Sequence, residues 1–536
     1  MKSFIYLSVA LGSLLTLSAC SEDKGNYTYS PVDEMTVTFP DDIKALYGAD
    51  DIVFTPTVVS KLEGEIKADN PNYTFGCKLN YRHYNDDGDS EMWYDINPEG
   101  TMTVTHPADI PAGNYVMWYT VTNKTTGVTF NFRGTVEILS TTYEGWMVLS
   151  NNGADKSARL DIIFKDPSGK SRCSYNLLGA DAPAITEATQ LGFYPSLYST
   201  GDQIYLFSKS GSYALDANSL TTTSAKNIKN TEFIMPAGVA GEPTVFGCVV
   251  ATGYSPMGRL IITSEGDVYK INTTNAGACY ENLINNTEWG GDAAYKVAPF
   301  IGLSQARNSY QALLYDETNK RFLRWNSYGQ YYETALNTDK TLYPEPDPAD
   351  KLFSYSTGMD LVHMEGTRGS NGIVYSVLQD NSGQRHVYGI NIAGYMGGMT
   401  QVSAEDNISA EHFNDAEQYA FHSQLPVILY SYGNKLYCYN TTSHSVTDMV
   451  TLDAGEKITK LKFNLYQNMS LTSLNDQSEA FMDKQFNLVV ATGNGQADGG
   501  KVRFYSIDAN SNKLNLLEEY SGFGEEIVDV LYRERR

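Results

Sequence analysis

From Glu34 to about Leu139 apolar and polar residues alternate, the period of a strand with one buried face. Met35-Thr36-Val37-Thr38-Phe39 reads as one short strand and Asp51 to Val59 as another. The clearest segment is Pro111 to Thr122, PAGNYVMWYTVT, where Tyr115, Met117, Tyr119 and Val121 fall on one face. A Thr125-Thr126-Gly127 turn follows, and Val128 to Phe132 completes a predicted hairpin. About 105 residues of such strands suit an immunoglobulin-like β-sandwich.

Beyond residue 140 a repeat emerges: a turn with Gly or Asn, then a short aromatic-bearing strand that ends on Asn or Asp. Seven segments fit: SGKSRCSYN, SGSYALD, EGDVYKIN, NKRFLRWN, SGQRHVYGIN, YGNKLYCYN and GGKVRFYSID. They close on Asn176, Asp216, Asn272, Asn326, Asn391, Asn440 and Asp508, in steps of 40, 56, 54, 65, 49 and 68 residues. An apolar strand-like run precedes most of them, such as Gln203 to Phe207 and Val427 to Tyr430, so each pair reads as a hairpin. Hairpins repeated radially hide their faces and leave few raw edges, which predicts a β-propeller of seven blades. The alternative is a long sandwich or two β-domains that share hairpin grammar. Ile527 to Tyr532 is expected to join a blade with Gly145 to Leu149 and close the ring.

The first twenty residues differ from all of this. Lys2 precedes an apolar run from Phe4 to Leu17, and Leu17-Ser18-Ala19-Cys20 ends it. The run is too short for a stable span of about 20 residues. It resembles a bacterial lipoprotein signal with its lipobox, which implies cleavage before Cys20 and acylation of its thiol. Each buried methylene of such an anchor contributes about 0.8 kcal/mol. An ordinary signal peptide cut near Ala19 is the alternative. Ser21-Glu22-Asp23-Lys24-Gly25 resembles the acidic export signal of surface lipoproteins in Bacteroidetes. The expected division is a signal peptide at 1–19, an acidic tether at 20–33, a sandwich at 34–140 and a propeller at 141–536.

Composition sharpens this picture. The chain has 536 residues, 39 Lys+Arg against 63 Asp+Glu, and 39 Tyr. Losing residues 1–19, which hold one Lys and no acid, takes the net charge from -24 to -25. A sequence-independent grip on nucleic acid needs many cations against phosphate, so this charge excludes it. Cys77, Cys173, Cys248, Cys279 and Cys438 are odd in number and form no CxxC pair. They read as small core thiols.

Candidate chemistry is sparse. The seven His (His83, His106, His363, His386, His412, His422 and His444) form no HExxH and no paired metal-ligand spacing. Glu411-His412 stands in a polar loop. Gly253-Tyr254-Ser255-Pro256-Met257-Gly258 has one residue too many for a nucleophile elbow. Gly493 to Gly499 lacks dinucleotide-loop spacing and leads into a strand. Asp86, Asp87 and Asp89, in Asn85-Asp86-Asp87-Gly88-Asp89-Ser90-Glu91, are the best metal candidates, because crowded carboxylates supply the hard oxygens of a Ca²⁺ site. A solvated hairpin turn needs the same residues. No cofactor and no catalytic residue is expected. Tyr198, Tyr254, Tyr328, Tyr331, Tyr332, Tyr355 and Tyr395 lie in Gly/Ser/Asn-rich loops and are candidate contact residues, or covers for loop cores.

The PAGNYVMWYTVTN stretch resembles the final strands of PKD-like domains. With the lipobox and tether, the chain resembles the PKD-like surface lipoproteins of Bacteroidetes that accompany SusC/SusD-type transporters. Only Cys20 carries over as a functional residue. The resemblance implies an all-β, outer-membrane, surface-exposed lipoprotein of PKD-like sandwich and propeller. It implies a non-catalytic accessory role, capturing oligopeptides or glycans for a TonB-dependent transporter. A surface glycosidase, lyase or peptidase, or a purely structural transporter subunit, are the alternatives.

Overall fold

The structure is a computed structural model. It describes residues 33–85, 88–194, 203–250, 256–271, 279–280, 283–286, 292–303, 310–327, 342–368, 372–393, 398–465, 485–508, 511 and 513–534. Cys20 and the tether up to residue 32 lie outside them. Among the described residues no helix is long and apolar enough to cross a membrane.

One core occupies the N-terminal part. Five strands form its larger sheet, in the order Lys44–Leu46, Thr129–Leu139, Gly113–Asn123, Tyr73–Asn85 and Gly88–Asp95. Met35–Thr38, Thr57–Ser60 and Gly64–Glu65 form a second sheet, and Asp51–Phe54 pairs with Val104–Pro107. Tyr115, Met117, Tyr119 and Val121 all point into the core, as their period-two spacing predicts. Each such side chain contributes about 1.5–3 kcal/mol on burial. The predicted hairpin forms, with Thr122 opposite Thr129. The expected single strand from Asp51 to Val59 is instead two strands in different sheets. Pro56 stands at the break, where a residue without an N–H interrupts a ladder.

Seven antiparallel sheets of three or four strands follow among the described residues. The first combines Glu526–Arg533, Gly145–Asn152, Ser157–Lys165 and Ser171–Ser174. The next two begin at Ala188–Tyr194 and Pro243–Val250. The fourth has Gln311–Asp316 and Arg321–Asn326 at its centre, and its inner edge is marked by the Val297–Asp316 and Gly302–Leu313 bridges. The last three begin at Asp360–Gly366, Gln418–Phe421 and Lys457–Phe463.

A blade of this kind is apolar on both faces, so it must share a core with each neighbour. Leu160 and Ile162 meet Leu191 and Leu206 between the first two blades. Phe207 meets Phe246 and Ile261 at the next junction. Leu260 meets Leu314 and Trp325, then Leu313 and Tyr315 meet Val374 and Leu378. Val377 and Val387 meet Tyr419 and Tyr430, and Leu429 and Cys438 meet Leu461 and Val490. Val489 and Phe504 of the seventh sheet then pack on Trp146 and Val530 of the first. The shared cores therefore run once round a ring, and the fold is a β-propeller.

The last strand closes this ring. Glu526–Arg533 pairs antiparallel with Gly145–Asn152, with Trp146 opposite Tyr532. Arg533 is buried and donates from both terminal nitrogens, to Thr142 O in the segment leading from the sandwich and to Ala217 O at the end of the second blade. One C-terminal side chain thus ties three parts of the chain together.

The repeat is out of phase at its first member. Asp216, Asn272, Asn326, Asn391, Asn440 and Asp508 end or directly follow the third strand of their blades, counted from the axis. Asn176 instead follows the fourth strand of the first blade, because that blade takes its innermost strand from the C-terminus. Asp166, after Ser157–Lys165, is the equivalent position.

Candidate functional site in the propeller axis

The innermost strands carry polar side chains that face the next strand of the ring rather than a core. Asp529 Oδ2 accepts from Leu191 N at 3.0 Å, bridging the first blade to the second. Gln190 accepts from Phe246 N at 2.9 Å and donates to Phe246 O at 3.1 Å, bridging the second to the third. Glu365 Oε1 accepts from Phe421 N, and Asn464 Oδ1 accepts from Tyr532 N at 3.3 Å. These contacts satisfy backbone donors that have no partner strand on the axial side, and buried donors need a partner. Gly366, beside Glu365, is required by close approach, since a Cβ there would lie 1.3 Å from Leu303 O.

Within this ring stands a cluster of charges. Lys462 Nζ lies 3.1 Å from Asp529 Oδ1. Burial alone raises the Asp529 carboxyl, but Lys462, Lys460 and the Leu191 N–H together hold it below the usual range. Lys460 and Lys462 are two apart on one strand and are half-buried. Burial pushes the Lys460 ammonium down, Asp529 and Glu365 oppose that, and Lys462 adds to it. Asp529 and Glu365 belong to the first and fifth blades, so a side chain of the seventh that feels both lies near the axis. Among the described residues no hydrogen bond or ion pair engages the Lys460 ammonium. His363 Nε2 lies 3.1 Å from Glu365 Oε2, with its ring against Phe421 and Phe300. Among the described residues the acids here are engaged by a lysine, a histidine or a backbone N–H, while Lys460 has no hydrogen bond or ion pair. The arrangement suits an incoming carboxylate.

Two cavities lie on the outer turns. One, of about 470 Å³, is lined by Gln384, Asn407, Ser409, Glu411 and Asn414. The other, of about 630 Å³, is lined by Phe233, Tyr269, Glu265, Asp267 and Lys296, among others. Burial, helped by Glu265, raises the Asp267 carboxyl.

The residues singled out in the sequence are placed as follows. Asp86 and Asp87 lie outside the described residues, and Asp89 stands opposite Tyr84 in a hairpin. Among the described residues no group of three or more His, Cys, Asp or Glu is arranged to hold a metal. Tyr355, expected as a candidate loop contact, is 1% exposed. It packs on Phe353 and Phe322, and its hydroxyl donates to Met399 O, so it belongs to the core between blades four and five. Tyr198, Tyr254, Tyr328, Tyr331, Tyr332 and Tyr395 lie outside the described residues, as do Gly253, Tyr254 and Ser255. Pro256 opens a strand, not a helix. His412 stacks on Tyr432 at 4.0 Å. Cys77, Cys248 and Cys438 are buried, and Cys173 and Cys279 half-buried. Sequence reading missed the axial cluster. Its one visible signal is Lys460 and Lys462 at period two, flanking Leu461 in the strand Lys457–Phe463.

The model of the PKD-like family matches residues 20–172. The N-terminal domain is PKD-like. No curated protein matches the chain. Among solved structures it is similar to a quinonprotein alcohol dehydrogenase-like protein from Bacteroides thetaiotaomicron, at 12% identity. That likeness covers 92% of this chain and 97% of the other, with a TM-score of 0.41. A candidate 6-phosphogluconolactonase from Bacteroides uniformis gives 14%, 73%, 99% and 0.40 in the same order. The β-propeller domain of a Myceliophteria thermophila protein gives 9%, 68%, 100% and 0.36.

Proposed function

We propose that the protein is a surface-exposed outer-membrane lipoprotein, held by acyl chains on Cys20. In this reading it is a non-catalytic accessory component of a SusC/SusD-type uptake system, and it captures oligopeptides or glycans. The observation that carries the capture role is Lys460, an ammonium without a hydrogen bond or ion pair among the described residues, two residues from the Lys462–Asp529 pair near the axis of a protein with net charge -24. Such a site recognises a carboxylate, which an oligopeptide offers at its C-terminus and an acidic glycan on its rings. Asp529 and Glu365 already take backbone N–H groups, which supports binding over acid–base work. A hydrolytic reading has one observation in its favour, the His363–Glu365 pair.

The test is purification of the tagged protein from its native outer membrane, with identification of what co-elutes. Transporter components and a peptide or glycan support the reading. Recovery in the soluble fraction, or without any transporter component, contradicts it. Cys20→Ser is expected to release the protein from the membrane.

A further inference from the structure

The five-stranded sheet of the PKD-like domain buries one face and leaves the other open, and that open face holds two exposed tryptophans. Trp118 is 39% exposed and Trp93 is 49% exposed. A lone exposed apolar residue needs no explanation, so what matters is how the two rings are arranged. Their surroundings are fixed by register. One row across the strands reads Arg133, Trp118, Lys78, Asp95, and the next reads Thr135, Val116, Asn80, Trp93. The rings are therefore two strands apart and offset by two residues, about 10 Å across and about 7 Å along the sheet.

What lies between the rings separates the possible occupants. A protein-docking patch has a continuous apolar centre with charged residues depleted from it. Here Lys78 and Asn80 occupy the strand between the two tryptophans, and Arg133, Lys78 and Asp95 are exposed beside them. Both signs of charge are present in one row, so the face does not select a charged ligand. The side-chain nitrogen of Asn80 is covered and has no hydrogen-bond partner among the described residues. Aromatic faces alternating with amide, guanidinium and carboxylate groups match a chain of neutral sugars. Each sugar presents a patch of C–H bonds to a ring and hydroxyls to the polar groups around it.

We infer that the outer face of the PKD-like domain is a binding platform for a neutral glycan chain, with Trp93 and Trp118 as its two stacking surfaces. This deepens the proposed function on its ligand, yet it stands on a different domain from Lys460, so the two readings can fail separately.

The test is electrophoresis of the full mature chain through native gels containing soluble xylan, galactomannan, mixed-linkage β-glucan or α-mannan, with fluorescence titration of any polysaccharide that retards it. Wild type is expected to be retarded by at least one. Trp93→Ala and Trp118→Ala each weaken that binding at least tenfold, and the double variant runs free. Trp118→Phe keeps a ring and loses less, which separates stacking from misfolding. Wild type running unretarded in all four gels overturns the inference. So does a double variant retarded like wild type, or one that keeps its retardation while losing a co-purifying membrane protein.

Discussion

The PKD-like domain and the propeller solve the same problem, the burial of strand faces, in opposite ways. The sandwich gathers Tyr115, Met117, Tyr119 and Val121 into one core and leaves the outer face of its sheet open. Among the described residues the propeller divides its apolar side chains among seven small cores, each shared by two blades, so every blade depends on its neighbours for burial. The difference teaches where each is vulnerable. A sandwich fails from its centre, whereas a ring fails at its seam. It also decides where polar groups stand. The open sheet displays them to solvent beside Trp93 and Trp118, and the ring turns them inward, where Lys462 and Asp529 meet.

The largest expected effect follows from the seam. Deleting residues 526–536 removes Ile527, Val530 and Tyr532 from the core between the last and first blades, along with Arg533. The calorimetric transition of the propeller is expected to vanish while that of the sandwich persists. A propeller that still melts cooperatively would show that the seam is not needed.

Asp529→Asn comes next. It leaves Lys462 without its ion-pair partner in a largely buried setting, and breaking such a pair costs about 3–5 kcal/mol. The loss should appear in the propeller's denaturation midpoint alone. Met117→Ala makes a cavity in the sandwich, at about 2–5 kcal/mol, and should lower only the other transition. If either substitution moves both transitions equally, the two cores are not independent.

A pH effect is smaller. Burial pushes His422 down to about 4, while its ring accepts from Gln424 N and Leu425 N. Unfolded, the ring titrates near 6.5 and binds a proton that the folded form refuses. Its contribution is therefore complete above 6.5 and falls with pH down to about 4, by up to about 1.4 kcal/mol per unit. His422→Asn keeps an acceptor but cannot titrate. Subtracting its stability curve from that of wild type should isolate this slope, and parallel curves would refute it.

Much of the fold is legible in the sequence, because hairpins are local. The Tyr115 face, the Gly-turn repeats and the pairing of Ile527–Tyr532 with Gly145–Leu149 all follow from period two and turn chemistry. The phase of the first repeat is not, since SGKSRCSYN obeys the same turn grammar as the third strands while serving as a fourth. Tyr355 misleads for a related reason. It has a polar, loop-like neighbourhood in sequence but lands on Phe322 and Phe353 in space. The axial cluster is hidden because Glu365, Lys460 and Asp529 come from three blades, and only ring closure brings them together. The two tryptophans are hidden in the same way, by register across three strands.

The capture role is tested most directly by native mass spectrometry of the full chain recovered from its own cells, wild type beside Lys460→Met. The account predicts a carboxylate-bearing peptide or acidic glycan bound to wild type and missing from the variant, with both equally folded. A variant that retains the same ligand mass, or a wild type that carries none, would contradict it.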